Sequence, residues 1–239
     1  ATKTIKKIEE LKKDERVKGI IFEIDSPGGA AVPSQEISEA IKKLEKPNYA
    51  VIRSVGASGG YWIASSTDKI FASEVSITGS IGVIGGYLEF SQLMDNYGIN
   101  YERFVGGKYK DIGSPYRSLN DDERKIFQEK INLIHDYFIK EVAENRNMDV
   151  NKAKELSTGE IYLGIEAKGL GLIDEFGDKD SAVNAMKTEL GNDNLDVVYL
   201  EKQTSLLEIL SAVSSYHFGR GVASEILRFD MHNKYGFEV

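Results

Sequence analysis

The chain of 239 residues contains no cysteine and only three histidines. The absence of cysteine excludes disulfides, thiol nucleophiles and zinc–thiolate sites, and it is compatible with either a reducing or an oxidising compartment. The scarcity of histidine bears on catalysis, because most hydrolases with a serine nucleophile use histidine as the base. His135 lies within a predicted long helix, where a structural role is expected, and His217 and His232 come late in the chain.

Long apolar runs and an excess of positive charge are also missing. No apolar run approaches the roughly 18 residues that suggest a membrane-spanning helix, and the chain starts without a signal-peptide pattern. The net charge of −8 argues against nucleic acid as a partner, because phosphate binding needs clustered Lys and Arg. With 41% hydrophobic residues, the chain can form one sizeable core, or a core plus a helical appendage.

Two consecutive segments share the pattern of a strand, a glycine-rich turn and a helix. The first has an apolar strand at 17–24 and a helix at 34–44, which Ser34 is expected to cap. The second covers residues 50–64. Two such units in succession predict right-handed βαβ crossovers and a mostly parallel sheet, with both turns at the carboxyl edge of the strands.

Ser58 lies at the apex of the second turn, within the run Gly-Ala-Ser-Gly-Gly at 56–60. Glycines on both sides permit a strained turn and leave the hydroxyl uncrowded, which suits a nucleophile. A plain turn between strand and helix gives the same pattern, because short Gly-x-Ser-x-Gly matches are common. Since both turns lie at one edge, the amides of Gly29 and Gly59 could form an oxyanion hole beside Ser58.

The remaining pattern predicts further strands and helices and no linker or repeat. Strands are predicted at 69–72, within 75–86, at 99–105 and at 195–200, and helices at 5–13, 89–97, 120–147, 150–156 and 180–190. Residues 106–117 form a polar loop rich in Gly and Lys, long enough to be functional. We expect one domain over residues 1–200, followed by a helical C-terminal extension with a flexible tail at 201–239.

A serine hydroxyl becomes a nucleophile only when a base takes its proton. The order Ser58, Asp174, His217 would suit a triad of the α/β-hydrolase type, although nothing around His217 marks a catalytic loop. A neutral lysine is the alternative base, provided that burial lowers its pKa. Lys108 and Lys110 are the lysines within the glycine-rich loop, and the pattern alone does not choose between them.

Four motifs occur in the order seen in one family of peptidases. They are Asp-Ser-Pro-Gly-Gly at 25–29, Gly-Ala-Ser-Gly-Gly-Tyr at 56–61, Thr-Gly-Ser-Ile-Gly-Val at 78–83 and Lys-Tyr-Lys-Asp with a following Ser-Pro at 108–115. With these motifs and the segment 158–175, the chain resembles the SppA family of bacterial signal peptide peptidases over about residues 17–190. The resemblance implies an α/β fold of the ClpP/crotonase type, a spiral of βαβ units.

The same resemblance implies a serine endopeptidase with a serine–lysine dyad, acting on membrane-released signal peptides and other unfolded or extended peptides. Ser58 falls on the family's nucleophile, Lys110 on its general base, and Ser80 on the serine that orients that lysine. Gly29 and Gly59 fall on the oxyanion-hole amides. Neither a cofactor nor a metal is expected.

The resemblance further implies an assembly, because in this family a neighbouring subunit supplies the lysine. We therefore expect a homo-oligomer, with an octamer as the expected form, and peptides as its other partners. Family members act outside the cytoplasm at the cell membrane through an N-terminal anchor helix, which these 239 residues do not include.

Two other functions stay open at this point. They are an esterase with a Ser-His-Asp triad, and a non-catalytic oligomeric scaffold. A further hypothesis places the tail residues 235–239 in the peptide groove as a bound product.

Overall fold

The structure is a computed structural model, and it describes residues 1–200. Every helix and strand given below belongs to one compact unit, Ala1–Leu195. The sequence-based boundary after residue 200 stays a prediction. The helices predicted for the C-terminal extension, and the tail segment 235–239, lie outside the described residues.

Helices and strands alternate through the first part of the described residues. In chain order they are α1 (Thr2–Lys13), β1 (Ile20–Ser26), α2 (Ala31–Lys42), β2 (Asn48–Ala57), α3 (Gly59–Ser65), β3 (Lys69–Ala72), β4 (Ile77–Gly79), α4 (Ser91–Asn96), α5 (Asp121–Asn145), α6 (Val150–Glu155), β5 (Ile161–Leu163), α7 (Gly164–Leu170), β6 (Glu175–Phe176) and α8 (Lys179–Leu190). The succession from β1 to β3 is the predicted pair of βαβ units, and its three strands are parallel. The predicted α/β class is confirmed.

β2 organises the sheet, because three strands pair with it. β1 runs along one edge of β2, and β3 pairs with the opposite edge over residues 49–52. Beyond that point β4 takes over this edge and pairs with residues 55–57. β5 is antiparallel to β4, whereas β6 is parallel to β3. The sheet therefore curls about the end of β2, where the second glycine-rich turn begins.

The side chains of β2 are buried on both faces of the sheet. Ala50 and Ile52 belong to a core that includes residues of α3, α5 and α7, while Tyr49 and Val51 pack with residues of α8. Successive residues of a strand point to opposite faces, so helices on both sides require apolar residues at consecutive positions. This explains why the strand reads as a nearly continuous apolar run.

α5 is fixed at its first turn and in its second half. The side chain of Asn120 accepts a hydrogen bond from the Glu123 N–H, and the Glu123 carboxylate accepts one from the Asn120 N–H, both at 3.0 Å. This capping box confirms the predicted cap at Asn120. Farther along, Phe138 is buried and its ring stacks on that of Trp62 with centroids 4.4 Å apart.

Three local predictions are wrong. Ser34 does not cap α2, because the helix already begins at Ala31 and the Ser34 hydroxyl donates to the Ala30 carbonyl within the first turn. The alternating segment 99–105 forms no strand, because every residue in it is exposed and it pairs with no strand of the described chain. The residues at 195–200 form no strand either.

Candidate active site

Ser58 occupies the turn between β2 and α3. Its backbone has φ = +52° and ψ = −122°, a conformation that residues other than glycine rarely adopt. The Ser58 N–H donates to the Gly79 carbonyl at 2.8 Å, and the Trp62 N–H donates to the Ser58 carbonyl at 2.9 Å. The side chain is half-buried, and within residues 1–200 its hydroxyl has no hydrogen-bond partner. The turn therefore leaves this hydroxyl available for reaction.

The first glycine-rich turn packs directly against Ser58. Gly28 has φ = +110°, and a Cβ placed on it would lie 2.8 Å from the Ser58 Cβ and 2.9 Å from the Gly59 nitrogen. Any other residue would be strained at this φ and would also collide with the second turn. The two turns thus meet at one place, as their positions after parallel strands require.

Gly29 and Gly59 bring two backbone amides close together. A Cβ placed on Gly59 would lie 3.3 Å from the Gly29 nitrogen and would collide with the Ser34 hydroxyl. Neither N–H donates to a turn, cap or side-chain acceptor within residues 1–200. Two amides beside a nucleophile suit the binding of one oxyanion. Their role in an oxyanion hole stays a prediction that this geometry supports.

Ser80 directly follows Gly79, whose carbonyl accepts the hydrogen bond from the Ser58 N–H. It also has a positive φ, +49°, and its N–H donates to the Glu160 carbonyl at 2.7 Å. Gly79, which accepts from Ser58, has φ = +76°. The Ser80 side chain is half-buried, and its hydroxyl has no partner within the described residues. The structure therefore places four of the five predicted site residues on adjoining stretches of backbone.

Lys110, the fifth predicted site residue, makes no hydrogen bond to the other four. It belongs to the stretch 101–110, in which every residue is exposed, and no hydrogen bond joins it to either serine. The Lys108 ammonium lies 4.8 Å from the centroid of the Tyr109 ring, and interaction with Tyr109 raises the pKa of Lys108 above its ordinary value. A higher pKa makes Lys108 a weaker candidate for a neutral base.

Asp174, the acid of the alternative triad, is engaged elsewhere. Its carboxylate accepts hydrogen bonds from Arg146 at 2.6 and 2.9 Å, and from the Ile70 N–H at 2.7 Å. These contacts tie Asp174 to β3 and to the end of α5, where its role is structural. His217 lies outside the described residues. His135 is half-buried in α5, and its Nε2 has no partner within residues 1–200.

A charged network that the sequence reasoning missed begins at the residue after Lys110. Asp111 accepts hydrogen bonds from Arg103 and from Arg117, and Arg117 also donates to Glu123. The Asn-x-x-Glu pattern at 120–123 signals the capping role of Glu123. No local pattern, however, links the two arginines to Asp111.

Large apolar side chains are exposed around Lys110. We call residues 84–116 the apolar segment, because twelve of its large apolar side chains are 38% to 95% exposed. They are Ile84, Tyr87, Leu88, Phe90, Leu93, Tyr97, Ile99, Tyr101, Phe104, Val105, Tyr109 and Tyr116. A concentration of exposed apolar groups is typical of a protein–protein or ligand interface.

The polar groups at the Ser58 turn are hydroxyls and backbone amides. In the part of the chain that the structure describes, no group of three or more His, Asp or Glu side chains is arranged to hold a metal ion. Likewise, none of the helices between residues 1 and 200 combines the length and apolar character that crossing a bilayer needs.

Comparison with known proteins adds an independent finding. Residues 40–193 match peptidase family S49. The chain is 39% identical to a putative signal peptide peptidase SppA of Enterococcus faecium, over 84% of the chain and 58% of that protein. It is 34% identical to a putative protease of Methanocaldococcus jannaschii, over 92% of the chain and 70% of the relative. Identity to a chloroplastic serine protease SPPA of Arabidopsis thaliana is 33%, over 92% of the chain and 33% of the relative. The chain thus spans a little over half the length of the first of these relatives.

Proposed function

The chain belongs to peptidase family S49, and from this premise we propose that it is a serine endopeptidase with Ser58 as nucleophile and Lys110 as general base. The observation that carries the proposal is the geometry of the turn. Ser58 has a strained backbone and a hydroxyl with no partner among residues 1–200, and it lies beside two closely spaced glycine amides. Strained backbone of this kind concentrates at functional sites.

The proposed reaction gives each residue of the site a role. Neutral Lys110 takes the proton of the Ser58 hydroxyl, whose oxygen attacks the carbonyl carbon of a peptide bond. The amides of Gly29 and Gly59 donate hydrogen bonds to the resulting oxyanion, and one such donor contributes about 3 kcal/mol in other serine proteases. Ser80 hydrogen-bonds the lysine and orients it. The protonated lysine then gives its proton to the leaving amine, and a water that the lysine activates hydrolyses the acyl-enzyme.

We further propose that Lys110 serves the Ser58 of a second copy of this chain. Two observations support this assembly. Lys110 makes no hydrogen bond to either serine of its own chain, and it lies in the apolar segment, whose exposed side chains suit burial against another subunit. The octamer expected from the family resemblance would be one such assembly.

The proposed substrates are extended peptides, including signal peptides released at the membrane. The name of the Enterococcus faecium relative, a putative signal peptide peptidase, supports this class. The proposed location is the extracytoplasmic side of the cell membrane, as the family resemblance implies.

The experiment that tests the function compares peptide hydrolysis by four samples. These are the wild type, Ser58→Ala, Lys110→Ala, and an equimolar mixture of the two variants after subunit exchange, all with a quenched apolar peptide. We expect both single variants to be inactive and the mixture to recover part of the activity. Full activity of Lys110→Ala would show that the base is wrongly assigned, and failure of the mixture to recover would argue for a dyad within one subunit.

Two further outcomes would replace the proposal. Loss of activity in His217→Ala with full activity in Lys110→Ala would favour the esterase with a Ser-His-Asp triad. Absence of hydrolysis in every sample, including the wild type, would favour the non-catalytic scaffold.

A further inference from the structure

The network around Asp111 joins the stretch that carries Lys110 to the first turn of α5. We propose that Asp111, Arg103, Arg117 and Glu123 form a positioning device for Lys110. The inference rests on the proposed function, in which Lys110 is the base, and it assigns these four residues a role in placing that base.

Arg117 is the centre of the network because its guanidinium bridges two carboxylates. Its Nε and Nη2 atoms donate to Asp111 at 2.8 and 3.0 Å, and its Nη1 and Nη2 atoms donate to Glu123 at 2.8 and 2.6 Å. Arg103 donates to the same two oxygens of Asp111, with one contact at 2.7 Å. Such forked contacts fix orientation as well as distance.

Three of the four side chains of the network are more buried than the stretch that precedes them. The side chains of Asp111, Arg117 and Glu123 are 11%, 21% and 2% exposed, whereas every residue of 101–110 is exposed. Partial burial and forked geometry distinguish these contacts from ordinary surface ion pairs, which contribute little. The arginines also hold the pKa of Asp111 well below its usual range, so the network stays ionised at the pH of a neutral assay.

Glu123 connects the network to a rigid element. Its carboxylate accepts from the Asn120 N–H while it binds Arg117, so the first turn of α5 and the network share one group. α5 is in turn held by Phe138, which is 2% exposed in the core. Lys110 directly precedes Asp111, so a displacement of the Asp111 backbone is passed to Lys110 at once.

The stretch that the network holds contributes little to the hydrophobic core. None of residues 101–119 is fully buried, so this stretch adds no buried side chain to the core. Loosening the network should therefore change the placement of Lys110 more than the stability of the fold. Misplacing a catalytic group by about 1 Å can lower a rate on the order of 100-fold.

The first test measures kcat and KM of Asp111→Ala on the quenched peptide. We expect kcat to fall roughly 10- to 100-fold, because the base is misplaced, with KM changing less than about threefold. Asp111→Glu should recover most of the lost kcat, since it keeps the carboxylate that both arginines bind. Arg117→Lys should resemble Asp111→Ala, because an ammonium cannot make the forked contacts that the guanidinium makes with both carboxylates.

A second test separates a misplaced base from general damage to the subunit. Asp111→Ala is mixed with Ser58→Ala, which keeps an intact Lys110 stretch, and in parallel with Lys110→Ala, which does not. Under the proposal the first mixture recovers activity, because the Asp111→Ala subunit still offers a competent Ser58. The second mixture stays no more active than Asp111→Ala alone. Asp14→Ala is the matched control, because Asp14 also binds an arginine, Arg16, through two contacts at 3.0 and 2.7 Å. Asp14 lies at the C-terminal end of α1, and this variant should leave kcat unchanged.

Three results would overturn the inference. The first is a kcat of Asp111→Ala within twofold of the wild type, and the second is a kcat of Asp111→Glu as low as that of Asp111→Ala. The third is a mixture of Asp111→Ala with Ser58→Ala that recovers no activity, although the mixture of Lys110→Ala with Ser58→Ala does. Each leaves the proposed function standing. Full activity of Lys110→Ala itself would instead remove the function on which the inference rests.

Discussion

At the scale of single residues, the turn that holds Ser58 depends on a glycine to which the proposed reaction assigns no role. Gly28 holds φ = +110° and lies so close to Ser58 that no Cβ fits between them. Gly28→Ala should therefore lower peptide hydrolysis at least about tenfold by displacing the serine. It should also lower the free energy of unfolding by about 1–3 kcal/mol through backbone strain. Assays of kcat/KM and of unfolding in denaturant check both effects.

Gly29 offers the matched control for the stability part of that prediction. A Cβ placed on Gly29 would meet no atom within 4 Å, and its φ lies outside the range that disfavours other residues. Gly29→Ala should leave the unfolding free energy within about 0.5 kcal/mol of the wild type. Equal stability losses in both alanine variants would contradict the steric argument for Gly28.

Glu123 predicts how stability depends on pH. Hydrogen bonds from Arg117 and from the Asn120 N–H lower the pKa of Glu123 from 4.5 to about 2. A carboxylate with a lowered pKa in the folded state stabilises the fold fully above its unfolded pKa, and this contribution is lost as the pH falls through the folded pKa. The stability advantage of the wild type over Glu123→Gln should therefore shrink between about pH 5 and pH 2. Unfolding midpoints measured across this range test it, and parallel curves for the two proteins would contradict it.

Some residues of the candidate site could be predicted from the sequence, and others could not. Ser58, Gly29 and Gly59 could be grouped from the sequence, because the order of strands and turns alone places both turns at one sheet edge. Asp111 and Arg103 could not, because their contact depends on the course of an irregular stretch that no periodicity describes. The role of Gly28 is also invisible in sequence, since it depends on the distance between two turns that are 30 residues apart.

At the scale of elements, α5 links the site's surroundings to the core. Asn120→Ala removes the side-chain acceptor of the capping box and should lower the unfolding free energy by about 1 kcal/mol. Gln128→Ala, in the exposed middle of the same helix, should change it by less than about 0.5 kcal/mol. Chemical denaturation of both variants measures the difference. Similar losses in the two would show that the cap is not what stabilises this end.

The elements that sequence predicts well are those whose pattern matches their packing. β2 and α5 were predicted correctly, because helices cover both faces of the strand and a capping box marks the start of the helix. The segment 99–105 is predicted as a strand because apolar and polar residues alternate in it. The same alternation also occurs in segments that pair with no other strand. A strand needs a paired neighbour, and no pattern within the segment reports whether one exists.

At the scale of the whole molecule, the apolar segment should determine assembly. Phe104 is 88% exposed within it, and Phe104→Glu would place a charge where we propose that a second copy binds. We expect this variant to sediment as a smaller species and to lose most of its peptidase activity. Val75→Glu is the control, because Val75 is 76% exposed but lies outside the segment. Unchanged sedimentation of Phe104→Glu would argue against an interface at this position.

The pairing of β2 with three strands has a kinetic consequence for the intact protein. Its amides at residues 49–52 lie between β1 and β3, so they can open to solvent only when the whole sheet separates. In a hydrogen–deuterium exchange experiment, these amides should be among the last of the described chain to exchange, at a rate set by global unfolding. Ser58 follows directly on this most protected strand. Its strained turn should therefore persist through the local fluctuations that open the loops, and disappear only when the molecule unfolds as a whole.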